Sequence, residues 1–500
     1  MAPAEILKPI KYTDQLLSKE HSLNGSINDL HHSMDNKPKY PGVFRNKFRY
    51  FILILGTLCL TSVFSNMLTL NFTIICMDPL EALTHNITVS NYNHPIHRYT
   101  QTEKTILQWT VAIASAVATF PFSWICSHYG ARHVFVVFGF LSAISTGAIP
   151  LAAEAGFGWF IFGLAYACDF AVVGVMCTRW ASLRENAKFL AVLTCFSSLA
   201  SLLTNVFSGM ICDSSFGWPW VHYSFALASL FLFVLWFFFY TDEPHLSPFM
   251  AQKELSVIHM DKSDAHKVRE RYVPYKAILK SKVVWTVWIN AFAVIFSEFF
   301  LFIYAPTYIK NVLGYSTTET GFMGALVALA HIPFKMVSGY VSDTFHCLSE
   351  RHKMWFFNTV ALVIPALIYV YLCYAPSGVP ALTVILFCSV QAALGFNSGG
   401  YYKCGALVSR QYAEFVIAFT QFIKCLVFFV APALVAIFVQ DDRNATQWHV
   451  IFYIIAATLI FANVIFCVYA TNKPASFTAL TLQSKRESKL AKANGTSSSA

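Results

Sequence analysis

Charge is what this sequence has least of. Only 12% of its 500 residues are Asp, Glu, Lys or Arg, about half the share usual in a soluble domain. That scarcity excludes an ordinary soluble globular chain of this length. Local signatures of catalysis are also missing: no phosphate-binding P-loop, no His-Glu-x-x-His, no Gly-x-Ser-x-Gly and no Cys-x-x-Cys. Neither an enzyme nor a transporter with its own ATPase is expected. The stretch 78–108 contains no cysteine, so no disulfide framework is expected there. The 13 cysteines read instead as small buried hydrophobes.

What is abundant is apolar. Hydrophobic residues make up 56% of the chain, 47 of its residues are Phe, and the mean hydropathy is +0.53. They collect in runs of about 20 residues, the length of a helix that crosses a bilayer core. Twelve such runs are predicted: 50–76, 106–126, 134–152, 157–178, 189–211, 220–240, 284–305, 321–341, 354–374, 380–402, 413–438 and 449–470. No ten-residue alternation suggests a membrane β-barrel. The predicted fold is an all-α membrane protein with twelve transmembrane helices in two six-helix halves.

The organisation follows. Residues 1–48 and 471–500 are polar tails expected to be disordered. Residues 49–240 form one six-helix half and 284–470 the other, joined by a polar linker, 241–283. With both termini cytoplasmic, the inner segments hold 29 of the 35 Lys and Arg residues, the asymmetry that sets orientation. The net charge of +9 is then a topology signal, and no nucleic-acid partner is implied. Of the N-x-S/T sequons, Asn86 lies in the long outer loop and is the expected glycan acceptor. The halves echo each other after their second spans, in "SWICSHYGARH" and "GYVSDTFHCLSERHK". Parallel repeats of this kind belong to secondary transporters, which hold substrate near the midplane between the halves.

Several motifs carry a resemblance. "FPFSWICSHYGARHVF", "SGMICDSSFGWPWVHYSF", "EPHLSPFMAQKE" and "YAPTYIKNVLGYSTTETGFMGAL" are similar to segments of the major facilitator superfamily, in its anion:cation symporter branch. That branch holds sialin, the vesicular glutamate carriers and related sodium–phosphate cotransporters. The likeness runs from about Lys47 to Thr471. "GGYYKCGALVSRQYAEF" resembles a divergent group common in nematodes. The branch's arginine of span 1 falls on Thr69, its arginine and glutamate of span 4 on Trp159 and Tyr166, and a histidine of vesicular glutamate carriers on Gly174. Its acidic–arginine pair after span 2 is Ser127 and His128. Those roles are not carried over, nor is glutamate or sialic acid as substrate. The resemblance implies a rocking-halves carrier of a small organic anion or phosphate, coupled to H⁺ or Na⁺, without a cofactor or metal. A monomer is expected, in the plasma membrane or a lysosome-like vesicle. A non-transporting sensor on the same scaffold is the alternative reading.

The candidate site residues are the rare polar groups inside spans. Lys424 lies about 16 Å along span 11 at 1.5 Å per residue, with Gln421 on its face. It would attract an anion, or pair with a carboxylate such as Asp169. Lys335 lies one turn beyond His331 on a small, polar face of span 8. It would draw the anion inward, or else snorkel or pair with Asp343. Asn66 and Thr69 belong to a neutral polar stripe of span 1, suited either to solute or to helix–helix contact. Asn397 lies in a Gly-rich wall of span 10. Glu298 and Asp169 are acids in spans expected to line the cavity, where burial disfavours a carboxylate. They are the candidate coupling residues, with structural ion pairing as the alternative.

Overall fold

The computed structural model describes residues 47–77, 100–155, 192–259, 274–344, 349–376 and 379–480, and isolated positions between 172 and 189. Residues 1–46, Asn86, most of predicted span 4 with Asp169, and 481–500 lie outside the described residues. Among the described residues there are helices and no strands. Ten helices there are long and apolar enough to cross a membrane. They are Phe48–Cys76 (span 1), Ala131–Leu151 (3), Val192–Cys212 (5), Gly217–Phe239 (6), Lys282–Asn311 (7), Thr317–Ser342 (8), Glu350–Leu372 (9), Pro380–Ser409 (10), Phe419–Phe438 (11) and Ala445–Tyr469 (12). Predicted span 2 lies within a further helix, Gln101–Tyr129.

Hydrocarbon offers no partner to a backbone N–H or C=O, so each crossing must satisfy its own ladder. Polar residues inside the spans obey the same constraint. Thr57, Thr61, Ser115 and Thr146 donate their hydroxyls to the carbonyl four residues earlier, at 2.7–2.8 Å. Large apolar side chains cover the outer faces instead, among them Leu227 and Phe238 of span 6 and Leu367 of span 9.

Spans 1 and 7 are the central pair. In their most apolar windows 83% and 89% of residues are buried, against 33% for span 6. Spans 1, 3, 5 and 6 pack on one another, with span 2 against span 3. Spans 7, 9, 10, 11 and 12 pack on one another, with span 8 against spans 7 and 10. The two groups meet where span 5 lies on span 8, span 2 on span 11 and span 1 on span 7. The span 5–span 8 crossing needs glycine. A β-carbon on Gly321 would sit 2.4 Å from the carbonyl oxygen of Asn205. Span 10 breaks into a 3-10 turn at Gly395–Gly399 before resuming at Tyr401–Ser409. There Gly395 lets its backbone approach span 8, since a β-carbon would lie 2.9 Å from the His331 carbonyl oxygen and the Lys335 nitrogen.

Two ends of the bundle can be told apart. At the proximal end the chain enters span 1 and leaves span 12. Here Glu254, in the linker helix Gln252–His259, accepts from the backbone N–H of Phe48 and of Arg49 (3.2 and 2.9 Å) and so caps span 1 in place of a local residue. At the distal end Cys76 and Cys212 form a disulfide, with Cα atoms 6.2 Å apart. This corrects the reading of all the cysteines as thiols. The two sulfurs close spans 1 and 5 from the last residue of each helix, outside the loop that lacks cysteine. Peptide mapping without reductant should recover the Cys76 and Cys212 peptides joined, and reductant should separate them. Two free thiols in the mature protein would overturn this pairing.

Candidate functional site

Span 7 carries Glu298 into the middle of the bundle, where the residue is 7% exposed. Three neighbouring spans converge on it. From span 5, Ser197 donates its hydroxyl to Oε1 at 3.4 Å. From span 8, His331 places Nε2 4.0 Å from the same oxygen. From span 10, Gln391 donates its amide to the Glu298 backbone carbonyl at 3.3 Å. Gln391 also offers its own backbone carbonyl to His331 Nδ1 at 3.2 Å. Lys335, half-buried, shares electrostatic neighbours with Glu298: both act on His331, on Cys195 of span 5 and on Tyr402 of span 10. The sequence marked His331 and Lys335 on one face of span 8 and Glu298 apart on span 7; the structure brings Glu298 to that face. Asp343 lies in the helix of span 8, but its side chain is outside the described residues.

A second group lies beside the first. Lys424 is 2% exposed, and its ammonium nitrogen faces three phenyl rings from three spans. The ring centres of Phe196 and Phe299 are 5.0 Å away and that of Phe64 5.6 Å. Rings so placed present their electron-rich faces to a cation. Phe64 and Phe196 come from the N-terminal helices, Phe299 and Lys424 from the C-terminal ones. Because Phe299 follows Glu298 and Phe196 precedes Ser197, the cage and the carboxylate sit at one level between the two groups. Gln421, one turn before Lys424, is 2% exposed, and neither its amide nitrogen nor its oxygen has a hydrogen-bond partner among the described residues. The buried Asn397 Oδ1 is likewise unpartnered there. Buried polar groups are normally satisfied, so these atoms can take a further hydrogen bond. Sequence reasoning missed the cage: three phenylalanines among 47 carry no distinguishing signal.

The polar stripe of span 1 is engaged differently. Asn66 donates to Ser142 of span 3 (3.0 Å) and accepts from Ser229 of span 6 (3.2 Å). Thr69 donates to the Asn66 carbonyl and lies 3.4 Å from His222 Nδ1, while Thr73 meets the other nitrogen of that ring at 3.1 Å. These bonds join spans 1, 3 and 6. His222, fully buried, was not singled out from the sequence.

Beyond the centre, the distal end is closed between the two helix groups. Lys104 of span 2 pairs with Asp442, in the turn between spans 11 and 12, at 2.9 Å, and Gln101 donates to the same carboxylate. Gln108 bridges Asn71 of span 1 and Tyr304 of span 7 (2.9 and 2.8 Å). Trp109 stacks on Phe429 with ring centres 4.7 Å apart. Asp213 accepts from both the backbone N–H and the hydroxyl of Thr318. A small polar chamber lies within this network, lined by Lys104, Gln108, Tyr304, Thr307 and Asp442.

A central polar site between two helix groups, closed at one end, is the architecture of a membrane carrier. Residues 48–432 match the Major Facilitator Superfamily. The chain belongs to this superfamily. As a superfamily member it is a transporter-type protein, and not an enzyme. It is 24% identical over 446 residues to sodium-dependent phosphate transport protein 1 of Mus musculus, covering 86% of this chain and 95% of that one. It is 25% identical over 371 residues to sialin of Homo sapiens, covering 71% and 72%. Both are relatives of the branch that the sequence motifs resemble. Among solved structures it is similar to the D-xylose-proton symporter, with a TM-score of 0.58, 13% identity and coverage of 87% and 100%. It is also similar to an inward-facing, occupied bacterial homologue of the lysosomal transporter Spinster, with a TM-score of 0.57, 14% identity and coverage of 85% and 99%. These likenesses concern the fold.

Proposed function

We propose that this protein is a secondary carrier that moves a small anionic solute, an organic anion or phosphate, by alternating access coupled to H⁺ or Na⁺. The observation that carries the reading is Lys424, a buried cation held between the two helix groups one turn from Gln421, whose amide has no hydrogen-bond partner among the described residues. An ammonium kept at such a depth is costly and has a use if an anion binds there. The relatives support the same class, one named for phosphate and one as sialin. The distal end faces outward, away from the cytoplasm. Two independent features support this orientation: the excess of Lys and Arg in the proximal segments, and the distal disulfide, which belongs in an oxidising compartment. The latched distal end then corresponds to a carrier closed to the outside.

Concentrative uptake by the purified protein in phospholipid vesicles tests the reading, with labelled phosphate, benzoate and tetraethylammonium as probes. Accumulation of an anion is expected. Lys335→Met should raise its KM about fivefold with little change in maximal rate, because one charge attracting the solute is worth about 1 kcal/mol. Accumulation of the cation instead, or of none of the three, would overturn the proposal.

A further inference from the structure

The contacts of His331 define its tautomer. A carbonyl oxygen can only accept, so Nδ1 carries the hydrogen in the 3.2 Å bond to the Gln391 backbone. In the neutral ring Nε2 is then a bare acceptor. It is buried without a hydrogen-bond partner among the described residues, and it lies 4.0 Å from Oε1 of Glu298. Two acceptors therefore face each other with no hydrogen between them. One proton completes the pair, carried by the carboxyl group and donated to Nε2, a form that keeps both groups neutral out of water.

We infer that Glu298 and His331 together form a binding site for one proton, and that this proton is the coupling ion of the carrier proposed above, on which reading the coupling role rests. A sodium ion fits poorly, because hard cations take shells of oxygen ligands and one wall of this gap is an imidazole nitrogen. The remaining described groups around the pair are Lys335 on span 8, Cys195 on span 5, Tyr401 and Tyr402 on span 10, and, at the same level, Lys424 of span 11 in its phenylalanine cage. Lys335 and Lys424 supply the cationic charge. When the pair lacks its proton, the Glu298 carboxylate offsets part of that charge. When a proton arrives from one aqueous side, the pair becomes neutral overall and the offset is lost in a region of low dielectric. The pull of the two ammoniums on an anion then rises, so proton and anion bind together and leave together.

Infrared difference spectra of the full chain in lipid vesicles, recorded between neutral and acidic pH, read the site without any substrate. A protonated-carboxyl carbonyl band is expected that Glu298→Gln removes and that His331→Gln shifts in frequency. Replacing choline by sodium should leave it unchanged. Glu298→Asp, which keeps a carboxyl, should retain a shifted band and guards against a folding defect. A spectrum unchanged in Glu298→Gln, or a band that sodium abolishes, overturns the proton site. Uptake supplies the second arm, with labelled phosphate and benzoate as probes. A pH gradient should drive accumulation in the wild type, and Glu298→Gln should exchange the probe but lose accumulation. If neither probe moves while the band behaves as expected, the carrier reading fails and the proton site stands. If Glu298→Gln accumulates the probe like wild type, the coupling role fails and the carrier reading stands.

Discussion

Lys424→Met is expected to abolish uptake while leaving the protein folded. The loss of rate should be at least about 100-fold, the scale on which a desolvated charge partner is missed. The fold should tolerate the change because a methionine of similar length keeps the contacts with Phe64, Phe196 and Phe299 as favourable sulfur–aromatic ones. It also removes the cost of holding an ammonium out of water. Melting of the purified variant should therefore match wild type within a few degrees, while vesicle uptake of the anion falls to background. Wild-type uptake by Lys424→Met would remove this residue from the solute path.

Gly321→Leu should force the distal end open. The glycine of span 8 approaches backbone of span 5, with its own Cα 3.1 Å from where a β-carbon on Gly209 would lie, and no side chain can move aside to admit one. The contact joins the two helix groups, so the strain is relieved by their separation at that end. Overpacking costs about 1–3 kcal/mol, which shifts a two-state balance roughly tenfold or more. A cysteine introduced at Thr307, inside the distal chamber, should label at least about tenfold faster with a membrane-impermeant thiol reagent in the Gly321→Leu background. Gly339→Ala supplies the contrast. On the same span, its nearest foreign atom would be 4.0 Å away, and labelling should not change. Equal labelling in the Gly321→Leu and parent proteins would show that the crossing does not hold the distal end shut.

The spans were legible because a run of apolar residues long enough to cross a bilayer leaves few alternatives to a helix. Their ends were less so. Span 7 was predicted as 284–305 and is helical over Lys282–Asn311. Span 10 was predicted to end at 402 and runs on to Ser409. Polar residues at these ends continue a helix past the hydrocarbon edge as readily as they begin a loop. Within the spans, Lys424, Glu298 and His331 stood out because a charged or titratable group there is rare. Their partners did not. Phenylalanines of a cage look like any others, and a backbone carbonyl such as that of Gln391 has no signature at all. The stripe of Asn66 and Thr69 shows why helical periodicity stops short of function. It marks a face as polar but cannot say whether solute or another helix meets it, and here Ser142, Ser229 and His222 do. The disulfide was illegible for a related reason: its two halves are 136 residues apart, with no local pattern at either.

That separation has a consequence for how the protein is made. Translation proceeds at about 5–20 residues per second, so Cys212 follows Cys76 by roughly 7–27 s. Four other cysteines, Cys126, Cys168, Cys177 and Cys195, emerge from the ribosome in that interval. The first membrane-inserted helix therefore waits as a reactive nascent species until the fifth arrives. Its sulfur can then be sealed before a single residue of span 7 has been synthesised, leaving the C-terminal helices to assemble against a covalently closed template.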